Sequence, residues 1–102
     1  MNNRLVLPTR HRRVVEELLR EYVPEAEVWA YGSRVSGHSH DGSDLDLVVR
    51  GPGLQPLGAE LVDLIEALRE SNIPILVQVH DRASLPHSFR RQIERAYMVL
   101  QH

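Results

Sequence analysis

This sequence predicts an α/β fold of the α+β kind, a small mixed β-sheet with helices packed on one face. Three observations lead there. Hydrophobic patterns of helical and strand period follow one another in the order helix, strand, strand, helix, strand, helix. The composition, 42% hydrophobic and 25% charged, is that of an ordinary soluble globular chain. At 102 residues, the chain has length for one cored domain, taken as residues 1–102.

The first helix is read from Thr9 to Tyr22, where Val14, Val15, Leu18, Leu19 and Tyr22 recur at helical spacing. Thr9 suits its N-cap and Pro24 its stop. "EVWAYGS", Glu27 to Ser33, is aromatic and branched before breaking at Gly32, so it reads as a strand. "DLDLVV", Asp44 to Val49, alternates and then turns wholly apolar, which suits a strand exposed at its start and buried later. "RGPGLQPLG" is a turn-rich linker. Leu57, Leu61, Leu64, Ile65 and Leu68 mark a second helix ending near Ser71 and Asn72. "IPILVQVH", Ile73 to His80, is a third strand. A last helix is expected from about Pro86 through Phe89, Ile93, Tyr97 and Leu100. The simplest arrangement of these elements is a three-stranded mixed sheet.

Composition excludes several kinds of function. Cysteine is absent, which rules out disulfides and thiolate metal sites and fits a reducing cytoplasm. No apolar run approaches the roughly 20 residues of a membrane span, and the N-terminal apolar patch is too short for a secretory signal. The chain therefore reads as cytoplasmic, with no membrane partner. A formal net charge of −2, without long runs of either sign, argues against strong non-specific nucleic-acid binding. All twelve basic residues are Arg, so Schiff-base chemistry and a P-loop lysine are excluded.

The chemistry concentrates in "YGSRVSGHSHDGSDLDLVV", Tyr31 to Val49. In a strand, residues two apart share a face and lie about 6.5–7 Å apart. Asp44 and Asp46 can thus converge on a divalent cation, and hard carboxylate oxygens suit Mg²⁺ completed by water and phosphates. An isolated Asp-x-Asp is more often the wet face of a hairpin strand, so the pair needs a companion. "GSRVSG", Gly32 to Gly37, supplies one. Gly32 permits close backbone approach, free N–H groups at the turn can cradle phosphate, and the Ser33 hydroxyl can donate to it. If the two strands are antiparallel neighbours, donors and acids meet at one edge of the sheet. Magnesium-bound nucleoside triphosphate fits such a corner. Arg34 can contact the triphosphate as a bidentate fork, or be an exposed structural arginine.

Gly32, Ser33, Arg34, Gly37, Ser43, Asp44, Asp46 and Leu47 together resemble the signature of the DNA polymerase β-like nucleotidyltransferase superfamily. The likeness is to the minimal nucleotidyltransferases (MNT), partners of HEPN-domain proteins, and with "LPHSFRRQI" it extends over most of the chain. The resemblance implies the nucleotidyltransferase palm and transfer of a nucleotidyl group, adenylyl above all. The donor would be ATP or another NTP with two Mg²⁺ ions, and the acceptor protein or RNA-related. It implies Asp44 and Asp46 as catalytic and metal-binding, and Gly32, Ser33 and Arg34 as nucleotide-binding. It also implies an antitoxin role in a toxin–antitoxin hetero-oligomer with a HEPN partner.

Active members generally add a third carboxylate from a later strand, where this chain aligns Gln78. Gln is neutral: it can accept from water or bind a metal through its amide oxygen, but it cannot take a proton. Asp81 would face away from Gln78 in a regular strand, and reads as the cap of the next turn. His80 shares the face of Gln78 and reads first as a partly exposed strand-end residue, with a base or ligand as the alternative. A second reading follows: a catalytically degenerate module that binds and neutralises a HEPN partner without transfer. His38 and His40 lack the rigid helical placement of a zinc site and read as loop residues near the nucleotide. Arg90, Arg91 and Arg95 read as a solvated basic stripe.

Overall fold

The structure is a computed structural model, and it describes residues 4–102. Four helices and four strands follow in the order α1 (Thr9–Tyr22), β1 (Glu27–Tyr31), α2 (Ser33–Ser36), β2 (Leu45–Arg50), α3 (Ala59–Glu70), β3 (Val77–Asp81), α4 (His87–Arg95) and β4 (Tyr97–Gln101). Short 3-10 turns at Pro52–Leu54 and Arg82–Ser84 link β2 to α3 and β3 to α4.

The strands form one sheet in the order β3-β2-β1-β4. β1 runs antiparallel to both β2 and β4, while β2 and β3 are parallel. A tight reversal suffices between β1 and β2, but parallel β2 and β3 need a crossover, which α3 provides.

Period-two alternation assigns each residue to a face. Val28 and Ala30 of β1, Leu45, Leu47 and Val49 of β2, and Val77 and Val79 of β3 pack with Val15 and Leu19 of α1 and Leu64 and Leu68 of α3. Each fully buried Leu in this layer is worth about 1.5–3 kcal/mol relative to exposure. The other face carries Trp29, Tyr31 and Val48, covered by Phe89 and Ile93 of α4. So α1 and α3 form the expected layer on one face, and α4 lies on the opposite one.

The end of the chain departs from expectation. The last helix stops at Arg95, and Ala96 turns extended (φ −154°, ψ 105°). Tyr97 to Gln101 then form a fourth strand, against the helix expected to run to Leu100 and the three-stranded sheet. Spacing of Phe89, Ile93, Tyr97 and Leu100 imitates a helix, but the run "YMVL" satisfies strand alternation better. Tyr97 stacks on Trp29 at a centroid distance of 4.1 Å on one face, while Met98 and Leu100 enter the core on the other. The third strand also begins later than expected, at Val77 rather than Ile73.

Candidate active site at the β1–β2 corner

Gly32 follows β1 directly and adopts φ +83°, a left-handed backbone that glycine takes without penalty. The chain then enters the single turn α2, in which the Val35 and Ser36 N–H groups donate to the Gly32 carbonyl at 3.0 and 2.9 Å. The N–H groups of Ser33 and Arg34 precede these bonds and have no partner within the turn.

Antiparallel register sets Tyr31 opposite Asp46. Asp46 therefore lies beside Gly32, so closely that a Cβ on residue 32 would stand 2.5 Å from Asp46 Oδ2. Glycine is required there twice over, for its dihedral and for its missing side chain. Asp44 precedes β2 by one residue. Its carboxylate accepts a hydrogen bond from Gln78 Nε2 at 2.9 Å, and Gln78 is the parallel-register neighbour of Asp46. Asp44, Asp46 and Gln78 therefore share one face at one end of the sheet.

Electrostatics agree with this closeness. Burial raises the Asp46 carboxyl above the usual carboxylate range, the Asp44 charge raises it further, and His80 lowers it. Among the described residues the ion pairs are Arg12–Glu16, Arg50–Glu27 and Arg82–Glu94. None neutralises Asp44 or Asp46, so the corner is short of positive charge. The donor set, two carboxylates with open coordination, suits Mg²⁺, which keeps waters and phosphates in its shell. No group of three or more His, Cys, Asp or Glu placed to hold a metal occurs among the described residues.

A cleft of about 360 Å³ opens beside the turn, lined by Tyr31, Gly32, Ser33, Ser36, Gln92 and Ile93. It lies between the glycine turn and α4, and its volume falls in the range of small-molecule sites. Sequence reasoning missed this wall. Gln92 and Ile93 close the "LPHSFRRQI" stretch, but only the packing of α4 on the sheet brings them near Gly32.

Arg34 stands elsewhere than expected. It is 4% exposed. Its Nε donates to Ser43 O at 2.9 Å, Nη1 to Val6 O at 2.7 Å, and Nη2 to Asp41 O at 3.0 Å and His40 O at 3.4 Å. The fork thus serves backbone carbonyls in place of a triphosphate. It ties residue 6 and the loop 40–43 together just ahead of Asp44, and Val6 N–H returns a bond to Arg34 O at 2.7 Å.

Asp81 caps the next turn as the sequence suggests, accepting from Ala83 N–H at 3.0 Å and Leu57 N–H at 2.8 Å. Both carboxylate oxygens are used, on the face away from Gln78. The half-buried His80 ring packs beside Tyr31 and Phe89, at centroid distances of 6.5 and 6.0 Å. His40 works within its own loop, where its Nδ1 accepts from Gly42 N–H at 3.1 Å. Arg90 turns inward, with Nη2 3.4 Å from Ala83 O, while Arg91 and Arg95 are exposed.

Known proteins share both this pattern and this fold. The family model "Nucleotidyltransferase domain" matches residues 11–100. A Haemophilus influenzae protein designated "Probable protein adenylyltransferase MntA" is 39% identical over 89 residues, covering 86% of this chain and 76% of its own. Among solved structures, a toxin–antitoxin complex with AMP-PNP superposes with a TM-score of 0.72 at 23% identity, over 87% of this chain and 71% of the other. A complex of tri-AMPylated Shewanella oneidensis HEPN toxin with MNT antitoxin gives 0.69 at 20% identity, over 92% and 71%. No helix among the described residues is long and apolar enough to cross a membrane. With the family pattern running from α1 to β4 and the glycine turn set against the carboxylate pair, the chain belongs to the nucleotidyltransferase domain family.

Proposed function

We propose that this nucleotidyltransferase moves an adenylyl group from magnesium-bound ATP to a hydroxyl of a HEPN-domain protein, acting as the antitoxin of that pair. The observation that carries the reading is the seating of Asp46 against Gly32, with Asp44 beside it. Phosphate donors and carboxylates then act on one substrate. The names of the relatives supply the acceptor class: a protein adenylyltransferase, and an MNT antitoxin in complex with an AMPylated HEPN toxin.

In this reading Ser33 and the backbone of the Gly32 turn hold the donor phosphates, and the adjoining cleft receives the nucleoside. Asp44 and Asp46 would hold Mg²⁺. Bound there, Mg²⁺ would neutralise phosphate charge and ease departure of pyrophosphate. The acceptor oxygen bonds to the α-phosphorus as the bond from that phosphorus to the bridging oxygen breaks. Pyrophosphate leaves, and the hydroxyl proton passes to solvent. Arg34 holds the loop that delivers Asp44 and does not touch the donor.

A second reading is favoured by one contact, the Gln78 amide on Asp44. An amide there supplies no negative charge and no base, which suits a module that binds and restrains a HEPN partner without transfer. Intact-mass analysis of a HEPN-domain protein co-expressed with the wild type or with the Asp44→Asn, Asp46→Asn double variant separates the two. The transferase reading expects adenylyl adducts with wild type alone. Unmodified partner in both, with the complex intact, selects the binding module.

A further inference from the structure

We propose that this corner seats a single divalent cation, the one that arrives with the nucleotide, because Gln78 acts as a positioning residue that closes the β3 side of the carboxylate pair. The inference rests on the reading above, in which Asp44 and Asp46 ligate the donor's Mg²⁺.

Gln78 Nε2 donates to Asp44 Oδ2 at 2.9 Å. An ionised carboxylate only accepts, so a neighbouring amide must turn its NH₂ toward it. That choice has two consequences. One Asp44 oxygen is engaged by a donor on the side facing β3. The space between Asp44 and Gln78 is lined by N–H hydrogens, which repel a cation rather than ligate it.

The strand register makes the closure specific. Gln78 is the direct neighbour of Asp46 across the parallel β2–β3 pair, so no other residue of β3 is closer to the acids in register. The next side chain on that face, His80, is drawn toward Tyr31 and Phe89. Asp81, the nearest acid along β3, has both oxygens committed to Leu57 and Ala83 N–H groups. Asp81 therefore cannot serve as a third acid without rebuilding the turn after β3.

The opposite side of the pair faces the glycine turn. There Asp46 Oδ2 lies against Gly32, where only the missing side chain leaves room. A cation on this side has Asp44, Asp46 and the nucleotide phosphates as its ligands, a set that satisfies one Mg²⁺ with water to complete it. A second ion at the roughly 3.5–4 Å spacing of two-metal centres would require an anionic ligand on the β3 side. The chain offers an amide donor in its place. Transfer should therefore follow the concentration of the magnesium–ATP complex and stay flat when free Mg²⁺ is raised beyond it.

Manganese electron paramagnetic resonance on the full chain with AMP-PNP tests this without relying on turnover. The wild type is expected to take up one Mn²⁺ per chain with the spectrum of an isolated ion, unchanged by excess Mn²⁺. The Gln78→Asp variant, which replaces the donor with a ligand, is expected to take up a second ion and show exchange coupling between the two. A coupled pair in the wild type overturns the proposal while leaving the nucleotide site standing. So does a folded Gln78→Asp protein that gains no ion. Failure of the wild type to take up any Mn²⁺ with AMP-PNP overturns this proposal together with the donor-site reading beneath it. The wild-type measurement decides the matter even where the variant does not fold.

Discussion

Replacing Arg34 with methionine separates a structural arginine from a phosphate ligand. The side chain is 4% exposed, and three of its bonds to carbonyl oxygens are 3.0 Å or shorter. A hydrogen bond involving a charged group is worth roughly 1.5–3 kcal/mol, and contributions within one cluster do not add in full. Methionine fills much of the space but leaves the carbonyls of Val6, Asp41 and Ser43 without their donor. Leaving these carbonyls without their donor, at about 1–3 kcal/mol for each buried acceptor and less than additively, costs about 3–5 kcal/mol in all, a large share of the roughly 5–15 kcal/mol that holds a domain folded. For a chain of this size the midpoint of thermal unfolding should fall by more than ~10 °C. Lysine should lose nearly as much, since one ammonium cannot reproduce a planar fork. Urea and thermal denaturation read the effect directly. Arg34→Met within about 1 kcal/mol of the wild type, with loss confined to ATP affinity, would refute this reasoning and return Arg34 to the triphosphate.

Gly32→Ala should abolish nucleotide-dependent stabilisation and transfer, because its Cβ meets Asp46 Oδ2 at 2.5 Å and φ is +83°; Gly37→Ala, with φ +92° but nothing within 4 Å, should cost only about 1–2 kcal/mol and keep nucleotide binding. Equal behaviour of the two in a melting assay with Mg²⁺ and AMP-PNP would contradict the close approach at Gly32. Asp81→Ala should lower stability by about 1–3 kcal/mol by orphaning the Leu57 and Ala83 N–H groups, with the Mn²⁺ stoichiometry unchanged; loss of the bound ion instead would make Asp81 a ligand. Burial first, and the Asp46 charge second, push the Tyr31 phenol up to about 12. The native state thus holds this proton more tightly than the unfolded chain, so the contribution to stability is complete below a pH of about 10 and is lost as pH rises through about 12. Tyr31→Phe should flatten the alkaline limb of the stability curve, and an unchanged limb would remove Tyr31 from it.

Much of the fold was legible because two periods alternate cleanly along the chain. Val15, Leu19, Leu64 and Leu68 keep helical spacing, while Leu45, Leu47 and Val49 keep strand spacing. The end was misread where both periods fit. Phe89 and Ile93 belong to a helix, but Tyr97 is held by stacking on Trp29, a contact between residues far apart in sequence. At the corner, Gly32 and the acids were legible because turn chemistry and alternation are local. The role of Arg34 was not, since its carbonyl partners at 6, 40, 41 and 43 come together only in the folded chain. Gln78 stood out as a missing acid, whereas its bond to Asp44 needed the parallel register of β2 and β3.

In the proposed site, Asp44 and Asp46 close over the same turn that takes the donor phosphates. Thermal unfolding of the wild type and the Asp44→Asn, Asp46→Asn double variant, each with and without Mg²⁺ and AMP-PNP, tests that most directly. At ligand a hundredfold above Kd the wild type should gain about 2.7 kcal/mol, a rise of the order of 10 °C or more, and only when Mg²⁺ and nucleotide are present together. The double variant should show no such gain. A wild type that melts at the same temperature with and without the pair, or a double variant stabilised as much as the wild type, would contradict the account.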